Sequence, residues 1–113
     1  MIHKYNAKKV TKPERLIENE ILNYLISKGV FCWKNTTGGF FDGKRFRKHS
    51  SKYAINGTSD ILGILSQGQF LAIEVKSDKG IVSKEQDAFI STIKANGGIA
   101  FIARSLDDVM CYF

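Results

Sequence analysis

Apolar residues recur along this chain with two different periods, and the alternation between them lays out its elements. From Pro13 to Lys28 the apolar positions Ile17, Ile21 and Leu25, with Leu22 and Tyr24 beside them, share one helical face. Pro13 suits a first helical turn, Thr11-Lys12-Pro13-Glu14 has capping-box spacing, and Gly29 follows as a stop. Val30-Phe31-Cys32-Trp33 is a short apolar run that reads as a strand. Asp60–Leu65 and Gln69–Lys76 read as two further strands joined by Ser66-Gln67-Gly68. A helix opens at Ser83, with Gln86 at the capping-box position and Phe89, Ile90 and Ile93 as its apolar face; it ends at Gly97-Gly98. Ile99–Ala103 is continuously apolar, as expected of a strand covered on both faces. Ser105 is expected to cap a last helix running to Phe113. The helix between Gln69–Lys76 and Ile99–Ala103 predicts a right-handed crossover and hence a parallel pair. Residues 35–59 remain as one long irregular stretch, a length unusual in a small domain unless it is functional or mobile.

The two central strands hold the informative chemistry. Strand side chains alternate, so Glu74 and Lys76 point to one face while Ile73 and Val75 point to the other. If Ser66-Gln67-Gly68 is a three-residue hairpin loop with Gly68 left-handed, Leu65 pairs with Gln69 and Asp60 falls opposite Glu74. Opposed Cβ atoms lie about 4.5–5.5 Å apart, so the two carboxylates repel unless something cationic sits with them. A two-residue turn, Gln67-Gly68, would instead put Asp60 opposite Val75 and split the acids between faces. On the first register Asp60 and Glu74 form a site for a hard divalent cation, which takes one or two carboxylates and completes its shell with water and phosphate oxygens. Lys76, on the same face, is positioned to orient a water or neutralise a transition-state phosphate. The competing reading makes Asp60 a turn cap and Glu74 and Lys76 solvated edge charges. In helix one Glu14 and Glu18 lie on one face at the margin of the apolar stripe, where either can reach toward the sheet. Gln86 is either the capping-box partner of Ser83 or a hydrogen-bonding group of the site.

Composition narrows the partners. The chain has 113 residues, enough for one core and one domain (11–113), behind a basic arm at 1–10. Lys and Arg exceed Asp and Glu to give a net charge of +6, which suits an anionic partner. Lys44, Arg45, Arg47, Lys48 and Lys52 cluster just before Asp60; they read either as phosphate contacts of a nucleic acid, with Phe41, Phe46 and Tyr53 able to stack on unpaired bases, or as a solvated loop whose aromatics anchor it to the core. His3 and His49 are assigned no metal or acid–base role. Two separated cysteines, Cys32 and Cys111, exclude a thiolate zinc site and a disulfide framework, and with no membrane-spanning run they suit a reducing cytoplasm. Both cysteines and Trp33 read as core.

Gly57-Thr58-Ser59-Asp60, Glu74-Val75-Lys76 and Ser83-Lys84-Glu85-Gln86 together resemble the VRR-NUC domain, the virus-type replication-repair nuclease of the PD-(D/E)xK superfamily, in its stand-alone, phage-type form. Ser59 departs from the proline of the superfamily's name. The resemblance implies an α/β restriction-endonuclease-like fold, a mixed central sheet flanked by helices in the order α-β-β-β-α-β-α. It implies a Mg²⁺- or Mn²⁺-dependent endonuclease, homodimeric, that cuts branched DNA such as four-way (Holliday) junctions, with no membrane and no small-molecule cofactor involved. By the same resemblance Asp60 and Glu74 bind the metal together with the Val75 carbonyl, Lys76 is the catalytic lysine, and Gln86 is the glutamine of the following helix. Glu18 is the expected helix-one acid and metal ligand, with Glu14 as runner-up. The alternatives are a branched-DNA-binding module of the same fold without turnover, or a dimeric scaffolding protein.

Overall fold

In a computed structural model of the chain, described for residues 11–36, 40–47 and 52–113, a four-stranded mixed sheet lies between two helical layers. The elements are α1 (Glu14–Ser27), β1 (Phe31–Lys34), β2 (Phe40–Phe41), β3 (Phe46–Arg47), β4 (Ile61–Ile64), β5 (Phe70–Val75), α2 (Lys84–Ala95), β6 (Ile99–Ala103) and α3 (Leu106–Met110). The main sheet has the order β1-β4-β5-β6, with β1, β4 and β5 antiparallel and β5 and β6 parallel across the α2 crossover. This is a restriction-endonuclease-like α/β architecture. Among the described residues no helix is long and apolar enough to cross a membrane.

Strand alternation divides the core into two. On one face Ile61, Leu71, Ile73, Val75, Phe101 and Ala103 pack with Ile17, Ile21 and Leu25 of α1 and Val109 of α3. On the other, Ala72 and Ala100 meet Ile90 of α2, with Leu62, Phe70, Phe89, Ile93 and Ile102 around them. The small alanines let α2 approach the sheet closely, which brings its first turn level with the C-terminal end of β5.

The β4–β5 turn is the three-residue loop, closed by the Leu65 N–H donating to the Gln69 carbonyl at 2.7 Å. Gly68 is left-handed at φ 77°, and Gln67 before it is left-handed too at φ 65°. Four expectations need correction. Thr11 does not cap α1: Pro13 is its N-cap, with no side-chain bond, because the Glu14 carboxylate turns instead to the Ser77 N–H. Ser105 makes no side-chain cap, and α3 stops at Met110 rather than Phe113. Residues 35–59 are not wholly irregular, since β2 and β3 form a hairpin turned at Asp42–Arg45, where the Asp42 carboxylate accepts from the Lys44 and Arg45 N–H groups. Cys111 and Trp33 are exposed, and only Cys32 packs on the core. The 1–10 arm, Lys48 and His49 lie outside the described residues.

Candidate active site

The β4–β5 register decides where the acids fall. Ile61 pairs with Ile73 and Ile64 with Phe70, so one step beyond Ile61 sets Asp60 against Glu74. The Val75 N–H donates to Asp60 Oδ2 at 2.8 Å, fixing the carboxylate across the strand gap, and the Asn35 N–H holds the Asp60 carbonyl at 2.7 Å. Glu74 is 2% exposed, on the same sheet face as α2. Its Oε1 accepts from Gln86 Nε2 at 2.7 Å and lies 3.8 Å from Lys76 Nζ.

Gln86 therefore fills both roles that its position allowed. Its Oε1 accepts from the Ser83 N–H at 3.0 Å, and Ser83 Oγ accepts from the Gln86 N–H at 3.1 Å. The capping box leaves the amide nitrogen as the only end of the side chain free to turn inward, where it meets Glu74. Gly57 explains how α2 comes to sit there. It has φ +79°, and a Cβ on it would fall 2.3–2.5 Å from the Glu85 and Gln86 backbone. The segment that leads into Asp60 thus lies directly on the first turn of the helix that carries Gln86.

Electrostatically, one nearby cation, Lys76, does not offset the burial and mutual repulsion of the acids. Burial, then the Asp60 carboxylate, push the Glu74 carboxyl up to about 7, against the pull of Lys76. Asp60 is raised as well, chiefly by burial and partly by Glu14, although the Val75 N–H and Lys76 oppose the rise. Glu74 Oε2 is buried and accepts no hydrogen bond. As a carboxylate oxygen it calls for a partner, which a proton shared with Asp60, a water or a cation would supply. A hard divalent ion matches that oxygen-only donor set. Among the described residues no three His, Cys, Asp or Glu side chains close into a cluster able to hold a metal, so two carboxylates are the core of any such site, with water or phosphate oxygens completing it.

The helix-one acids separate. Glu14 Oε1 lies 3.3 Å from the Ser77 N–H, and its charge acts on both Asp60 and Glu74. Glu18, one turn on, is 7% exposed and faces Lys34, whose Nζ is 3.2 Å from its Oε1. Glu18 is not among the charges acting on Asp60 or Glu74. Lys44 and Arg45 stand exposed at the β2–β3 turn, and Lys52 is exposed with its Nζ over the Tyr53 ring at 5.0 Å. None of these three cations is among the charges acting on Asp60 or Glu74.

Sequence reasoning missed Arg104. Its Nη1 donates to the carbonyls of Ser77, Asp78 and Gly80 at 2.7, 3.2 and 2.9 Å, tying down the loop that follows Lys76 and offers its N–H to Glu14. No spacing signals such a contact, since an arginine after a strand reads as an ordinary surface charge.

A sheet with D…ExK acids at facing strand ends and a polar helix start beside them defines a restriction-endonuclease-like domain of the PD-(D/E)xK kind. A family model described as the VRR-NUC domain matches residues 41–107, more than half of the chain, and the chain belongs to the VRR-NUC family. It is accordingly a nuclease-type DNA-processing domain, of a kind that generally uses divalent metals. The match begins after α1 and so does not bear on Glu14 and Glu18. No curated protein matches the chain.

Proposed function

We propose that the protein is a divalent-metal-dependent endonuclease that hydrolyses phosphodiester bonds in DNA, acts on branched DNA, and works as a homodimer. The observation that carries the reading is the buried, unpartnered Oε2 of Glu74 beside a second carboxylate and a lysine. Asp60, Glu74 and the Val75 carbonyl would hold the ion, Mg²⁺ or Mn²⁺. For the helix-one acid the contacts of Glu14 favour it over Glu18, whose oxygen is engaged by Lys34. When bound, the ion would supply a water acidified enough to attack and would stabilise the leaving oxygen.

The chain's own groups divide the remaining work. Gln86 holds one oxygen of Glu74, so that the other faces Asp60. Lys76 offers a cation next to the acids, where it can orient the attacking water or neutralise charge on the phosphate. Lys44, Arg45, Arg47, Lys48 and Lys52 would place the DNA by phosphate contacts, which carry no sequence information. Homodimerisation suits this chemistry: one subunit has one site, and two nicks on a junction need two.

The test is cutting of duplex, flap and four-way DNA in Mg²⁺. Asp60→Ala and Lys76→Ala are each expected to lower the rate at least about 100-fold; unchanged cutting by either would sink the reading. A second reading, DNA binding without turnover, draws on the lack of a three-acid cluster among the described residues. It predicts that the protein shifts four-way DNA yet leaves it intact in both Mg²⁺ and Mn²⁺.

A further inference from the structure

We propose that Phe31 and Trp33 on β1 form a stacking platform for unpaired nucleobases of the DNA, on the sheet face that carries Asp60 and Glu74. The inference rests on the nuclease reading for the identity of the polymer. β1 is an edge strand, and its residues alternate between two unlike environments. Cys32 packs on the α1 side and Lys34 reaches Glu18 there. Phe31 and Trp33 point the other way, to the side of Leu62, Ile64 and Asp60. On that side α2 packs over β5 and β6, and among the described elements no other helix packs over the β1–β4 half of the face. Phe31 is 67% exposed, Trp33 38% and Ile64, opposite Phe31, 41%. The two rings adjoin, with centroids 5.6 Å apart and planes inclined at 53°, so they present two neighbouring aromatic faces set at an angle.

Position selects the occupant. Trp33 pairs with Leu62, two residues from Asp60 on the same face, which is roughly 7 Å along the strand and one strand spacing across. That span matches about two nucleotides of stacked strand. A base resting on Trp33 would therefore belong to a nucleotide about two steps from the one whose phosphate meets the acids. A flat π-surface accepts any base but needs it unpaired, since a paired base presents its face only to its neighbours in the stack. The net charge of +6 suits an anionic polymer as the occupant. The exposed parts of Phe31, Trp33 and Ile64 also amount to a few hundred Å² at most, against about 800 Å² per partner in a stable dimer.

Trp33 is the only tryptophan in the chain, so its fluorescence reports on the platform alone. The experiment titrates the full-length protein in EDTA with oligo-dT, with a duplex bearing a single-stranded flap, and with a blunt duplex of equal charge. The first two are expected to quench Trp33, and the blunt duplex to bind with little quenching. Phe31→Ala and Trp33→Ala should each cut the preference for flap over blunt duplex by about 5- to 100-fold, and Trp33→Tyr should restore most of it. Phe31→Ala serves as the independent variant, since a side chain this exposed is removed without opening the core. Equal quenching by blunt duplex, or an unchanged preference in both alanine variants, overturns the proposal. So does conversion of a dimer to monomers by Trp33→Ala in sedimentation, which makes the patch a contact between copies. Quenching by flap DNA from a protein that never cuts would keep the platform and refute the nuclease reading.

Discussion

At the scale of single residues, the acidic pair links protonation to folding. Glu74 holds its proton up to about pH 7 in the fold, whereas an unfolded glutamate releases it near 4.3. The folded state therefore binds a proton that the unfolded chain has lost, and this group's contribution is complete below the unfolded value and fades as pH rises through 7. Asp60 is shifted in the same direction. In EDTA the melting temperature is expected to fall between pH 5 and pH 8. Glu74→Gln, which leaves an amide donor facing Asp60, should flatten that dependence and raise the pH 8 value by several degrees. Mg²⁺ should do the same to the native protein at pH 8 and much less at pH 5, where it competes with the proton. A melting temperature that climbs from pH 5 to 8 without metal would contradict the buried acid pair. The pair itself was legible in the sequence, because a three-residue turn at Gly68 fixes every later pairing in the hairpin. The choice between Glu14 and Glu18 was not. Both lie on one helical face, and only the path of the loop after β5, whose Ser77 N–H donates to Glu14, distinguishes them.

At the scale of elements, the site depends on two loops being pressed onto it. Gly57 seats the chain against the first turn of α2, and Arg104 ties the 77–80 loop by three carbonyls. Gly57→Ala adds both left-handed strain and a Cβ with no space beside Glu85 and Gln86. It is expected to cost about 2–4 kcal/mol in urea unfolding and, by shifting α2, to slow cutting as well. Arg104→Ala strips a charge-assisted donor from three carbonyls and should cost about 1.5–3 kcal/mol, with faster amide exchange in the 77–80 loop. Since all three bonds leave one nitrogen, Nη1, an ammonium with three donors should recover part of the loss in Arg104→Lys. The helices and core strands were readable from hydrophobic patterning, because α1 buries one clear stripe and β5 and β6 are apolar on both faces. What periodicity could not supply were contacts made by backbone. The Thr11 cap lost to a tertiary partner for Glu14, and the β2–β3 hairpin, two residues on each strand, is too short to carry any period.

At the scale of the whole molecule, charge and site are carried by different parts of the chain. The acids sit where β4, β5, α1 and α2 converge, whereas Lys44 and Arg45 are displayed on a separate hairpin and Lys52 lies in the segment after it. That division makes binding and catalysis separable. A cation that meets phosphate without touching the reacting atoms contributes affinity through released counterions, about 0.9 per contact in the slope of log affinity against log salt. Replacing Lys44, Arg45 and Lys52 together with alanine is expected to reduce the slope by up to about 2.7 and to weaken binding to duplex and four-way DNA alike. With DNA saturating and salt low, the cleavage rate of that variant should stay within a few-fold of the native protein's. Lys76→Ala should behave oppositely, with the salt slope changed by no more than one contact and the rate at saturation collapsed. If the triple variant instead lost its saturated rate while keeping its slope, the hairpin would belong to the reaction centre. The separation of a binding surface from a buried acid pair would then be wrong.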